Sequence, residues 1–168
     1  CADVGCAMGQ YGADVAKGNA DIIILKNSFN SLVSTIKESR GFLANIRKAV
    51  YYLCSCNLAE LILIFLGVCI FKAPVLAAVQ ILLINLLTDS APAISYSLEK
   101  AEQSVMKKQS FKKLRRVFDI RSIAVIILQG LFMALAALVS FAIGNTISYE
   151  TAMTMAFVTL GLAQGIHC

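Results

Sequence analysis

Apolar positions crowd the later part of the chain into four runs, separated by short polar breaks and one long basic one. Each run approaches the ~20 apolar residues that a membrane-crossing helix needs. The pattern predicts four spans at about 49–71, 75–97, 120–143 and 151–168, the last running to the end of the sequence. Lys72-Ala73-Pro74 is a tight connection, because extended chain covers at most about 3.6 Å per residue. The first two spans therefore read as an antiparallel hairpin. Gly144-Asn145-Thr146 with Ser148-Tyr149-Glu150 forms a similarly short turn between the last two. Gly161, Ala163 and Gly165 are small enough to permit close helix contact in the fourth span.

The periodicity differs before Tyr51. Asp3 to Gly9 is a short apolar run ending in Gly, and predicts a buried strand. Gly12 to Asn19 predicts two helical turns. Ala20 to Leu25 is continuous and β-branched, the composition of a buried parallel strand. Strand, short helix and strand within about 25 residues suggest the trailing edge of an α/β domain. It carries no catalytic constellation; Asp14 reads as a helix-face charge and Asp21 as a strand-entry residue. Asn30 or Ser31 can cap a helix starting at Leu32. A second helical pattern starts at Phe42 and meets no breaker before Phe71. Two domains are expected, 1–41 and 42–168, with Arg40, Arg47 and Lys48 at water or headgroup level.

Composition sharpens this picture. The 168 residues are 58% hydrophobic with a mean hydropathy of +0.76, which excludes an ordinary soluble domain. The net charge of +5 comes from Lys100, Lys107, Lys108, Lys112, Lys113, Arg115, Arg116 and Arg121. Basic residues between spans mark a cytoplasmic loop rather than a nucleic-acid surface, and the short turn after Gly144 has none. The partner implied is a lipid bilayer, with both ends of the chain cytoplasmic in a multi-pass protein of the cell membrane. The six Cys show neither metal spacing nor a disulfide framework, and read as small buried thiols. The chain has no initiator Met or signal sequence, opens in a strand-like run and stops inside an apolar one, so it is expected to be a fragment of a longer protein.

The candidate chemistry lies in the few polar residues inside the spans. A mid-membrane Asp89 costs roughly 2.5–3.5 kcal/mol on insertion scales. Asn85, Thr88 and Asp89 fall at i, i+3 and i+4, on one helix face. Pro92 lacks an N–H and leaves the carbonyl near Thr88 without its usual partner. In the first span Asn57 and Glu60 share a face at i, i+3. Helix rise puts Glu60 about 17 Å and Asp89 about 23 Å from the hairpin turn, similar depths that local unwinding around Asp89 would adjust. Oxygen donors with freed backbone at that depth predict a cation site. Gln164 is the polar residue at depth in the fourth span. Gln129 and Gly130 suggest packing in the third, Asn57 alone would pass as helix–helix glue, and His167 reads as packing or interfacial.

These residues resemble the C-terminal part of a P-type cation-transporting ATPase, and among these the bacterial calcium-transporting group. Asp3 to Gly9 with Gly12 to Lys17, then Ala20 to Leu25, Asn30 and Ile46-Arg47-Lys48, is similar to the end of that family's phosphorylation domain. Asn57-Leu58-Ala59-Glu60 resembles the ligand pair of its fifth membrane helix. Asn85-Leu86-Leu87-Thr88-Asp89 with Pro92 resembles the ligand run of its sixth. The resemblance implies a mainly α membrane helical bundle of four transmembrane helices, the last truncated, with a small α/β remnant of a HAD-like phosphorylation domain at 1–41. It implies calcium as the transported ion, held by Asn57, Glu60, Asn85, Thr88 and Asp89, since calcium takes six to eight hard oxygen ligands.

Gln164 stands where animal reticulum pumps have a Glu in the eighth helix. Its amide offers oxygen without charge, which favours one calcium per cycle. ATP and magnesium would bind outside this chain, in the missing cytoplasmic domains, and further ligands would come from a missing upstream membrane helix. The fragment alone would then hydrolyse nothing; the enzyme would be the parent protein. Two alternatives stand beside this reading. One is the same architecture pumping sodium/potassium, protons or manganese; Asn85 speaks against the sodium/potassium pumps, which an acidic residue there would resemble. The other is a non-enzymatic four-span channel or scaffold.

Overall fold

The computed structural model describes residues 4–25, 28–99 and 119–168, apart from the side chains of Asp89, Ala91, Ala93 and Ser97. The basic loop 100–118, with all its Lys and Arg, lies outside the described residues. The described residues fall into two compact units, one up to Leu43 and one from Ala44 onward.

In the first unit, β1 (Cys6–Met8) and β2 (Ile22–Ile24) flank α1 (Asp14–Gly18). The strands pair in parallel, Cys6 opposite Ile22 and Met8 opposite Ile24. The Gly5 N–H donates to Asp21 Oδ2 at 2.8 Å, so Asp21 fixes the strand entry. Asp14 pairs with Lys17 on the face of α1. Contrary to expectation, the β2 side chains are not buried. Ile22 and Ile23 are nearly half exposed, and β1 is the only strand beside β2 among the described residues.

The helical region after β2 also departs from expectation. The two expected helices are one, α2 (Phe29–Phe71), 43 residues long. The sequence suggests a new start at Phe42, after Gly41. A lone Gly costs a helix only about 1 kcal/mol relative to Ala and does not end it, and Gly41 is buried within α2.

In the second unit, α2 ends at a Lys72 with φ of 52°, a left-handed conformation that turns the chain sharply. Gln80 Oε1 accepts from the Ala77 N–H at 2.9 Å and caps α3 (Ala78–Ile84). A π-helical turn (Asn85–Asp89) and α4 (Ser90–Leu98) follow without a break. Asp119 caps α5 (Ile120–Gly144) through its carboxylate, and Ser148 caps α6 (Tyr149–His167) through its hydroxyl. Both ends follow the expected polar breaks.

The core of this unit is an apolar cluster built on Leu63, Val75, Ala137, Phe141, Ala156 and Leu160. Phe141 packs edge-on against Phe71, ring centroids 4.9 Å apart, and Tyr149 reaches from α6 to donate to the Pro74 carbonyl. The hairpin closes tightly: a Cβ built on Gly67 would sit 2.0 Å from Val75 Cγ2. Helices α5 and α6 also meet closely, but not through the glycines expected. Space around Gly161 and Gly165 is open, whereas a Cβ on Gly144 would meet the Ala152 backbone at 2.6 Å. The buried side of α6 is Ala152, Ala156, Leu160 and Gln164, an i+4 row that leaves Gly161 and Gly165 one step round the helix.

Helices α2 and α5 are long and apolar enough to cross a membrane, yet only 33% and 28% of their apolar windows are buried. A soluble core helix hides its apolar side chains, whereas these present Phe65, Ile70, Leu128 and Phe132 outward. Such surfaces suit lipid contact, and the unit is a helical membrane region. Of the thiols placed in the spans, Cys56 is buried, Cys54 half-buried and Cys69 exposed, so burial holds for only part of the set.

Candidate cation site

Glu60 lies on α2, with 5% of its surface exposed. The residue below it on the helix, Asn57, is three positions earlier, about 60° round the axis. That rotation crosses the boundary between covered and open faces. Asn57 is exposed, and its Nδ2 donates to the Leu53 carbonyl at 2.9 Å.

Gln164 is fully buried on α6. Its Nε2 donates to Glu60 Oε1 at 3.2 Å. The contact joins two of the polar residues singled out by depth alone. The other half of the same carboxamide, Gln164 Oε1, is buried with no hydrogen-bond partner. Leaving a buried acceptor unmatched costs about 1–3 kcal/mol, so this oxygen, beside a buried carboxylate, is open to a further donor or a cation.

The π-helical turn supplies the second orphan. Asn85 Oδ1 is likewise buried without a partner. Thr88 turns its hydroxyl back to the Ile84 carbonyl, Oγ1 to O 2.7 Å. The helix is widened at this point rather than unwound. Closing i→i+5 fits an extra residue into the turn, which lets the chain pass Pro92 without breaking. The backbone of Asp89 closes this turn; its side chain lies outside the described residues.

Pro92 has one further consequence, legible in part from the sequence. The Thr88 carbonyl, four residues earlier, loses its helical donor. Tyr52 replaces it: its hydroxyl lies 3.1 Å from the Thr88 carbonyl oxygen and 3.3 Å from that of Gln164. Tyr52 is 3% exposed and eight residues before Glu60, about two turns along α2. One phenolic proton thus serves carbonyls from the π turn and from α6. Sequence reasoning missed Tyr52, because Pro92 names the orphaned acceptor and nothing local names the donor. His167 stacks on the Tyr52 ring, centroids 5.8 Å apart, in keeping with the packing role expected of it.

The arrangement offers one buried carboxylate, two unpartnered buried amide oxygens and a locally widened helix. These are hard oxygen donors, with no thiolate or imidazole cluster among the described residues. The set favours a hard cation such as calcium, magnesium or sodium over zinc or copper.

The family described as cation transporting ATPase, C-terminus, matches residues 73–168. The chain is 34% identical to calcium-transporting ATPase 1 of Bacillus cereus, over 99% of this chain and 21% of that protein. It is 37% identical to calcium-transporting ATPase 1 of Lactococcus lactis, over 99% of this chain and 19% of that protein. A sodium/potassium-transporting ATPase alpha subunit of Hydra vulgaris is 41% identical over 68% of the chain and 11% of its own length. The chain spans about a fifth of the length of the calcium-transporting relatives it matches.

Proposed function

Because this chain belongs to the cation-transporting P-type ATPases, we propose that it is the transmembrane calcium-binding and transport region of an ATP-driven calcium pump. In this reading 42–168 is the C-terminal transporter domain, with spans at about 49–71, 75–97, 120–143 and 151–168. Residues 1–41 are the trailing part of a HAD-like phosphorylation domain. ATP and magnesium act elsewhere in the parent protein, and a cycle of aspartyl phosphorylation there is coupled to alternating exposure of the ion site.

The observation that carries the reading is the buried Glu60 carboxylate in contact with Gln164, whose amide oxygen is orphaned, together with a second orphaned amide oxygen, Asn85 Oδ1, on the π turn. Calcium satisfies all three, since it accepts carboxylate and amide oxygens in one flexible shell. Thr88 and Asp89 join from the π turn, and Asn57 joins from α2 by turning inward from its exposed position and its bond to the Leu53 carbonyl. The relatives that cover nearly the whole chain add support, since they are named calcium-transporting ATPases. With Gln164 neutral, the cage holds less negative charge than a two-ion site asks for, so one calcium crosses per ATP.

The test is Asp89→Asn in the full-length protein. Calcium-dependent phosphorylation from ATP is expected to vanish, while phosphorylation from inorganic phosphate in the absence of calcium persists. Calcium activation at normal affinity in this variant would overturn the site. The similarity to sodium/potassium-transporting alpha subunits supports a second reading, transport of a monovalent cation. It predicts phosphorylation from ATP that depends on sodium and is indifferent to a calcium chelator.

A further inference from the structure

Next to Tyr52 and His167, two hollows of the second unit share a wall. The first, about 400 Å³, opens between Lys48, Tyr96, Arg121 and Ser122 and deepens to Gln129 and His167. The second, about 650 Å³, starts from the same Gln129 and His167 and runs between Leu128, Phe132, Met133 and Ile166. Together they form one cleft with a basic, hydroxyl-bearing mouth and an apolar tail.

The charges at the mouth are not equivalent. Lys48 Nζ is held by both carboxylate oxygens of Glu99 at 2.9 Å, which neutralises it. Arg121 is exposed and has no ion pair among the described residues. The mouth therefore carries uncompensated positive charge at Arg121, in a planar guanidinium suited to binding phosphate through paired hydrogen bonds. In the sequence Lys112, Lys113, Arg115 and Arg116 closely precede it, so this end of α5 belongs to the cytoplasmic leaflet by the rule that places basic residues inside. That leaflet is the one whose anionic lipids attract juxtamembrane basic groups. The tail lies on α5 and α6, where Phe132 and Ile166 are more than 70% exposed.

We propose that this cleft binds an anionic phospholipid, its phosphate at Arg121 and one acyl chain along Phe132 and Met133. Charge complementarity at the mouth selects the anionic headgroup, and the continuous apolar groove requires a lipid rather than a free phosphate ester. Tyr51 stiffens the mouth: its ring lies under the Arg47 guanidinium and its hydroxyl donates to Ser122 Oγ at 3.1 Å. Gln129 and His167 mark the change from headgroup to chain.

Native mass spectrometry of the detergent-purified full-length protein tests the assignment without any turnover. Phosphatidylglycerol and phosphatidylcholine with identical acyl chains are titrated separately. The expected result is selective retention of phosphatidylglycerol. Arg121→Gln should weaken it about fivefold, the effect of one basic residue near an anionic lipid, while Arg121→Lys keeps most of it. Ala163→Phe, which fills the tail, should weaken both lipids, and glycerol 3-phosphate should not compete. Thermal melting of each variant separates lost binding from lost fold. Equal retention of both lipids, an unchanged Arg121→Gln, displacement by glycerol 3-phosphate, or no adduct because another helix of the full chain fills the groove would each overturn the proposal.

Discussion

Gln164 Nε2 donates to Glu60 Oε1 across 3.2 Å, between residues 104 positions apart. The bond does two things. It gives a buried carboxylate a donor, and it leaves the amide oxygen of Gln164 unpartnered. A hydrogen bond to a charged group contributes about 1.5–3 kcal/mol. Gln164→Leu removes donor and oxygen together, and the calcium concentration for half-maximal phosphorylation of the full-length protein should rise at least tenfold. Unchanged calcium dependence would detach Gln164 from the site.

Asn85 gives the opposite balance between stability and binding. Its Oδ1 is buried and unsatisfied, at a cost of about 1–3 kcal/mol. Asn85→Leu removes that cost, so the melting temperature measured in chelator should hold or rise. The same change deletes a ligand, so calcium should lose its stabilising effect on melting. A variant that melts lower in chelator and keeps its calcium shift would contradict both halves.

Much of this was legible in the sequence, because the signals were local. Run length marked the apolar stretches of α2 and α5, while the caps at Asp119 and Ser148 emerge only in the structure, where α6 begins inside the expected turn. Depth within a span picked out Glu60 and Gln164 separately. Their pairing was not legible, because the rotation of one helix against another is set by packing of the whole bundle. The same limit explains Gly161 and Gly165: small residues permit close approach, but spacing alone does not say which face meets a neighbour. The helical pattern starting at Phe42 misled in the other direction, since it continues the helix before it into one of 43 residues.

Tyr52 and Pro92 are predicted to be energetically coupled. Tyr52→Phe strips the donor from the Thr88 and Gln164 carbonyls, and should cost about 1 kcal/mol of stability. Pro92→Ala restores an N–H four residues after Thr88, which can then close an ordinary helical bond. In the Pro92→Ala background the Tyr52→Phe cost should therefore shrink by about half or more, a coupling measurable in a double-mutant cycle. Additive effects would mean that the two residues do not serve the same carbonyl. Calcium affinity should fall in Pro92→Ala, because the π turn loses its reason to form.

The glycines of the bundle should divide sharply by location. At Gly67 a Cβ would lie 2.0 Å from Val75 Cγ2 and 3.1 Å from its Cβ. Valine is branched at Cβ and has few rotamers with which to yield. Gly67→Ala therefore forces the hairpin apart, at a cost of about 1–3 kcal/mol for overpacking. Adding Val75→Ala removes the obstructing methyls and should recover part of the loss. Gly161 has nothing within 4 Å of its built Cβ. There the same substitution meets no clash, and the helix gains about 1 kcal/mol from the better propensity of Ala. Thermal melting of the purified variants reads both: Gly67→Ala below the parent, the double variant between them, Gly161→Ala at or above it. If Gly161→Ala instead melts lower than Gly67→Ala, α6 turns a different face to the bundle, with Gly161 rather than Leu160 against its neighbours.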